Sequence, residues 1–239
     1  MHPPRGHAAY RPAPPQCLLL LDLDNTAVSR ESAVTRWAQD FALEHRLDTS
    51  AVARLITIDN DGLTPRERFF AEVRNRFSLK PTPEELHRAY QDRYPRHMHC
   101  CPEVLDHLAK LRTRGWKIGV VTNGLTRTQG AVLEHTGLIQ YLDGWCISET
   151  EGVRKPDAEL FARTATRCGR DISDGGWMIG DSIEADIGGA KKAGLHTIWI
   201  RRGRTWTRDL PPPDHIVDDV TEALDHLTRA HTESGARSR

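Results

Sequence analysis

Residues 18–24 read LLLLDLD, an unbroken apolar run that ends in two aspartates one residue apart. An apolar run this short, bounded by polar residues, fits a strand covered on both faces, because a sheet with one wet face would show alternation instead. Ionised carboxylates just past such a strand lose solvation that something else must replace. A fold is therefore needed that buries this strand and gathers compensating groups at its carboxyl end.

Three further apolar runs, WKIGVVTNG, GWMIGD and HTIWIRRG, have the same character, and DGWCIS is a weaker fifth. Between them lie helical patterns: PEVLDHLAKLRTRG, with Val104, Leu105, Leu108 and Leu111 on one face and Gly115 as a stop, then LTRTQGAVLEHTG, PDAELFARTATRCG and EADIGGAKKAG. Strands alternating with helices of this length predict an α/β fold with a parallel sheet and helices on both faces. The segment 28–100 departs from this rhythm. Nothing in it reads as a strand, and it holds helical patterns with start signals: Thr64, Pro65 and Glu67, then Thr82, Pro83, Glu84 and Glu85. It reads as a helical subdomain inserted after the first strand, leaving 17–27 and 101–230 as the core.

The first sixteen residues are Pro-rich and residues 231–239 small and polar, so both ends are expected to be disordered tails. Lys and Arg number 33 against 33 Asp and Glu, which gives no reason to expect nucleic acid or an anionic membrane as partner. Five cysteines without a repeated spacing argue for reduced thiols, and no apolar run is long enough to span a bilayer. A cytoplasmic protein, monomer or homodimer, is the expectation.

In an open parallel sheet, ligands bind at the carboxyl ends of the strands. Those ends carry Asp22 and Asp24; Thr122, Asn123 and Gly124; and Asp181, with Asp186 close behind, while Lys155 lies in the loop GVRKPD. Aspartates converging on one edge repel each other unless a cation sits among them, and hard oxygen ligands suit Mg²⁺. A metal, a Lys and hydrogen-bonding Thr and Asn together make a receptor for a phosphoryl group. Each piece taken alone has a plainer reading: DxD and TNG as turns, Lys155 as a solvated side chain before Pro156, Ser182 as a helix N-cap. Their order and shared position favour the functional one.

These residues resemble the haloacid dehalogenase superfamily of aspartate-nucleophile phosphohydrolases. DLDNT is similar to its first motif, VVTNG to its second, Lys155 in RKPD to its third and GDSIEADIGGAKKAG to its fourth, in that order. The resemblance implies a Rossmann-like core and, in the insert, a helical cap of the family's first type. It also implies roles: Asp22 as nucleophile forming an aspartyl-phosphate and Asp24 as general acid and base. Mg²⁺ would be held by the Asp22 carboxylate, the Asp24 carbonyl and Asp181, with Asp186 in the outer shell. Thr122, the Asn123 amide and Lys155 would bind phosphate. The implied activity is hydrolysis of a small-molecule phosphate ester. The rivals are a haloacid dehalogenase or phosphomutase of the same superfamily and a non-catalytic relative that binds a phospholigand or a protein. A halide leaving group needs no proton, so Asp24 favours the phosphatase.

The insert is less informative. Arg66 and Arg68 are candidates to meet an anionic or hydroxylated substrate, against the commoner solvated reading. DNDG, with Asp59 and Asp61, resembles half a calcium loop but lacks the later glutamate. HMHCC, residues 97–101, lacks a second ligand pair and fits a hinge lining the cleft better than a zinc site. Trp37, Phe41, Phe69, Phe70 and Phe77 fit core packing.

Overall fold

The computed structural model describes residues 17–206 and 210–236, so the Pro-rich stretch 1–16 and residues 237–239 lie outside the described residues. Six parallel strands, β1 (Leu18–Leu21), β2 (Lys117–Thr122), β3 (Gly144–Ile147), β4 (Trp177–Gly180), β5 (His196–Ile200) and β6 (His215–Val217), form one sheet in the order β3-β2-β1-β4-β5-β6. β1 is an inner strand, with Leu21 paired to Val120 on one side and Ile179 on the other. Its four leucines are wholly buried because they alternate between two cores. Leu19 and Leu21 pack with Ile118, Val120, Ile179 and Ile198, while Leu18 and Leu20 pack with Val121, Met178, Leu160 and Phe161. The doubly covered strand expected from LLLL is what forms.

Between β1 and β2 run five α-helices and no strand: α1 (Arg30–Glu44), α2 (Ala51–Asp59), α3 (Arg66–Arg76), α4 (Pro83–Arg93) and α5 (Pro102–Thr113). The first four gather around Trp37, Phe41, Phe69, Phe70 and Tyr90, with Trp37 edge-on to Tyr90 at 5.0 Å and Phe69 edge-on to Phe70 at 4.8 Å. The aromatic residues are thus core, as their spacing suggested, with Phe77 only partly buried. Thr82 and Glu85 form the expected capping box at the start of α4, with Pro83 in the first turn. Thr64 does not cap α3. Its hydroxyl donates to the Ile58 carbonyl at 2.6 Å, and Pro65 takes the N-cap position.

The remaining helices are α6 (Thr126–His135), the single turn α7 (Ser148–Glu151), α8 (Ala158–Arg167), α9 (Gly189–Lys192) and α10 (Val220–Ala236). α10 continues past residue 230, where sequence composition places the start of a tail. Residues Ile183–Gly188, read from sequence as ordinary helix, form a π-helical turn running into α9, with Ser182 as the expected N-cap. Among the described residues, no helix is long and apolar enough to cross a membrane.

Candidate active site

Strand order reverses between β1 and β4, and in open α/β sheets the crevice at such a reversal is where ligands sit. Asp22 follows β1 directly, Thr122 ends β2 and Asp181 follows β4, so the register of three adjacent strands brings their ends together. Lys155 arrives from the loop before α8, and Asp186 from the π-helical turn. All the core residues singled out by sequence therefore converge on one sheet edge.

The centre is a buried lysine. The Lys155 ammonium donates to Asp22 Oδ1 at 2.6 Å, Asp186 Oδ1 at 2.7 Å and the Val121 carbonyl at 2.8 Å, so all three of its protons are used. Burial draws the ammonium down, but the Asp186 and Asp22 charges outweigh it and hold Lys155 above its ordinary pKa. The Asn123 side chain clamps this loop from both sides: its Oδ1 accepts from the Lys155 backbone N–H at 2.9 Å, and its Nδ2 donates to the Lys155 carbonyl at 3.0 Å. That side chain is a fixture, which leaves its backbone amide for any ligand.

Asp186 is fixed at its other oxygen by the Ser182 N–H at 2.9 Å. It packs against Gly180, where a Cβ would overlap the Asp186 carboxylate, so the glycine that ends β4 makes room for it. Carboxylate oxygens of Asp22, Asp181 and Asp186 lie within 4.8 Å of one another. Burial and the Asp186 charge raise Asp22 well above the usual carboxylate range, with Lys155 opposing. The same two causes lift Asp181 to about 6 against the pull of Arg202. An all-oxygen donor set that repels itself to this degree fits a small hard dication. Among the described residues no other group of three His, Cys, Asp or Glu side chains comes so close, the HMHCC run included.

Asp24 is held separately. Its Oδ2 accepts from Gln129 Nε2 at 2.9 Å, and its Oδ1 is buried with no protein partner. The same Gln129 nitrogen lies 2.9 Å from Thr122 Oγ1, so that hydroxyl accepts one hydrogen bond and keeps its own proton to donate. Sequence reasoning missed Gln129, although a polar residue seven positions after Thr122, early in the helix that follows a strand end, is placed to turn back toward the site.

Two arginines after β5 were also missed. Arg202 donates to Asp181 Oδ2 at 2.8 Å and to Asp61 Oδ2 of the helical segment at 2.9 Å, and Arg204 donates to the Asp181 carbonyl at 2.6 Å. The run IRRGR at the end of an apolar strand was the available signal. Of the two arginines singled out in the helical segment, Arg66 lines the cleft facing the strand ends, whereas Arg68 lines a separate surface groove between α2 and α3.

Comparison with known proteins agrees with this geometry. A phosphoserine phosphatase of Thermus thermophilus is 30% identical over 207 residues, 83% of this chain and 80% of that one. A glyceraldehyde 3-phosphate phosphatase of Methanopyrus kandleri is 33% identical over 167 residues, 66% of this chain and 70% of that one. The HAD-hydrolase YfnB of Bacillus subtilis, determined with magnesium bound, shares the fold at a TM-score of 0.72 and 23% identity, covering 89% of this chain and 98% of that one. Solved dehalogenases share the fold too, at TM-scores of 0.62–0.67 and 20–23% identity. The family profile of haloacid dehalogenase-like hydrolases matches residues 18–194, and with the sheet order and the strand-end constellation this places the chain in that family.

Proposed function

We propose that the protein is a Mg²⁺-dependent phosphatase that hydrolyses a small-molecule phosphate monoester through a covalent phosphate on Asp22. The observation that carries this reading is the buried Lys155 bridging Asp22 and Asp186, beside the crowded oxygens of Asp22, Asp181 and Asp186. Such an arrangement is costly for stability alone and suited to a dianion and a dication. The relatives named as phosphatases support the same chemistry.

Asp22, on the end of a strand buried on both faces, is rigid enough to attack phosphorus in line, and its carboxylate is the nucleophile. Lys155 stabilises that carboxylate and the incoming charge. The Thr122 hydroxyl and the Asn123 amide donate to phosphate oxygens. Asp24 lies on the leaving-group side: with an N–H fixed on Oδ2, the unpartnered Oδ1 is the oxygen that carries a proton, given first to the departing alcohol and then regained from the attacking water. The Asp22 and Asp181 carboxylates and the Asp24 carbonyl would hold Mg²⁺, with Asp186 tuning the set from behind. The cation supplies charge neutralisation between nucleophile and phosphate. The helical segment that closes over this edge would serve as the cap, admitting substrate and excluding water.

Asp24 is what separates this reading from dehalogenation, since a halide departs without a proton. The test is hydrolysis of 4-nitrophenyl phosphate with Mg²⁺ and with EDTA, in wild type and Asp22→Asn. Activity is expected only in wild type with Mg²⁺. Turnover surviving both chelation and the substitution would overturn the mechanism.

A further inference from the structure

A cavity of about 310 Å³ lies between the helical segment and the strand ends, lined among others by Arg30, Arg66, His87, Tyr90, Gln129 and Arg154. Its volume is at the lower end of the range for ligand pockets, about 300–1,000 Å³. Gln129 connects it to the chemistry, because this lining residue holds Asp24 and Thr122 with its side-chain amide. The cavity therefore sits on the leaving-group side of the site proposed above.

Its charge is one-sided. No acidic residue is among those that line it, while three guanidiniums are. Two carboxylates stand behind them: Asp59 closely, and Asp61, whose Oδ1 lies 3.8 Å from Arg30 Nη1 while its Oδ2 pairs with Arg202 at 2.9 Å. Asp59 Oδ1 accepts from both Arg30 Nη2 and Arg66 Nη2 at 2.8 Å, and Oδ2 accepts from Arg30 and from the Gly62 N–H at 2.9 Å. Asp59 is thus shared between two largely buried arginines, whose side chains are 9% and 18% exposed, and Arg66 has no carboxylate partner besides it among the ion pairs of the described residues. Arg154 on the rim adds a third positive charge.

Hydrogen-bonding atoms are left over as well. Arg66 Nη1, a donor, and the His87 ring nitrogen Nε2 are buried without a partner. The Arg66 guanidinium lies 5.0 Å from the Phe69 ring and 5.7 Å from the Tyr90 ring, and His87 stacks on Phe70 at 5.2 Å. These contacts hold both side chains in place, unlike surface arginines free to follow solvent. A buried guanidinium donor without a partner is destabilising unless a ligand completes it. Planar guanidiniums on a rigid frame are matched by carboxylate or phosphate oxygens.

We propose that this cavity receives a second anionic group, a carboxylate or a phosphate, carried on the leaving-group side of the substrate. The proposal rests on the phosphatase reading and narrows it: the substrate is a small phosphate monoester with two anionic ends. Arg30 and Arg66 grip the remote end, Asp59 keeps them in register, and neutral monoesters of the same length bind without that grip.

The probes are propyl phosphate, 3-phosphooxypropanoate and propane-1,3-diyl bisphosphate, which differ only in the terminal group. With Mg²⁺-loaded wild type, at least one charged probe is expected to exceed propyl phosphate about tenfold in kcat/KM, and the better of the two tells carboxylate from phosphate. Arg66→Met should reduce that preference about fivefold or more, Arg154→Met should reduce it less, and Arg68→Met, in the separate groove, should leave it intact. A wild-type preference below about twofold, or one that Arg66→Met and Arg154→Met both leave unchanged, would overturn the proposal. If no ester, including 4-nitrophenyl phosphate, is turned over, the phosphatase reading fails instead. Equilibrium binding of the same probes then decides the subsite alone: preference for a charged probe sustains it, and equal affinity rejects it.

Discussion

At the scale of single residues, the site is a set of side chains whose hydrogen bonds are spent in ways that assign the work. Lys155 has no proton to spare, Asn123 is committed to a loop, and Asp24 keeps one oxygen unpartnered. Gln129 is the link between acid and phosphate donor, touching Asp24 and Thr122 with one nitrogen. Gln129→Leu should keep the shape of the side chain and remove both contacts. If the chief role of Gln129 is to orient Asp24, kcat should fall about 10–100-fold for an alkyl ester, and distinctly less for 4-nitrophenyl phosphate, whose leaving group needs little protonation. Equal losses for the two esters would place its effect at Thr122 instead. The aspartates, Lys155 and Thr122 were legible in the sequence because each ends an apolar run or sits in a short motif. Gln129 and Arg202 were not, because their roles depend on which way a helix and a loop turn back.

At the scale of elements, the strands and their glycines decide whether those residues meet. β4 ends in a glycine whose Cβ position is already filled by the Asp186 carboxylate, whereas Gly130 inside α6 has no neighbour near its Cβ position. Gly180→Ala should therefore push Asp186 off Lys155, costing about 1–3 kcal/mol and most of the activity. Gly130→Ala should be neutral or stabilising by up to about 1 kcal/mol, since alanine loses less entropy in a helix. Denaturant unfolding of both variants tests the contrast, and equal stabilities would mean the π-helical turn yields without cost. Most elements could be read from sequence because LLLL, KIGVVT and HTIWI are long enough runs to mark inner strands. β6 could not: it is a three-residue edge strand whose His215 and Ile216 are not buried, so no apolar run announces it. The π-turn was equally hidden, since IEADIG has a helical pattern and only the packing of Asp186 against β4 shows the wider winding.

At the scale of the whole molecule, a balanced net charge conceals a local concentration of negative charge that the fold must bear. Asp22 and Asp186 share one buried ammonium, and Asp181 crowds beside them with Arg202 and Arg204 reaching it from outside. A carboxyl whose pKa rises on folding favours the folded state below its unfolded value of 3.8, and that advantage is lost as pH climbs through the folded value of about 6. For Asp181 the difference amounts to about 3 kcal/mol once pH is well above 6. The half-buried His87, His97 and His226, held below their ordinary pKa chiefly by loss of solvation, act in the opposite sense over the same range, so wild-type stability alone would blur the effect. A difference measurement cancels them. In metal-free buffer, Asp181→Asn should gain stability relative to wild type between pH 5 and pH 7.5, whatever constant offset the lost arginine contacts impose. Mg²⁺ at a hundred times its dissociation constant should then stabilise wild type by about 2.7 kcal/mol at pH 7.5 and much less at pH 5, where protons compete for the same oxygens. Thermal melts at the two pH values, with Mg²⁺ and with EDTA, read both terms. A Mg²⁺-induced shift in wild type that ignores pH, or one retained in full by Asp181→Asn, would mean that the strand-end carboxylates are not where the cation binds.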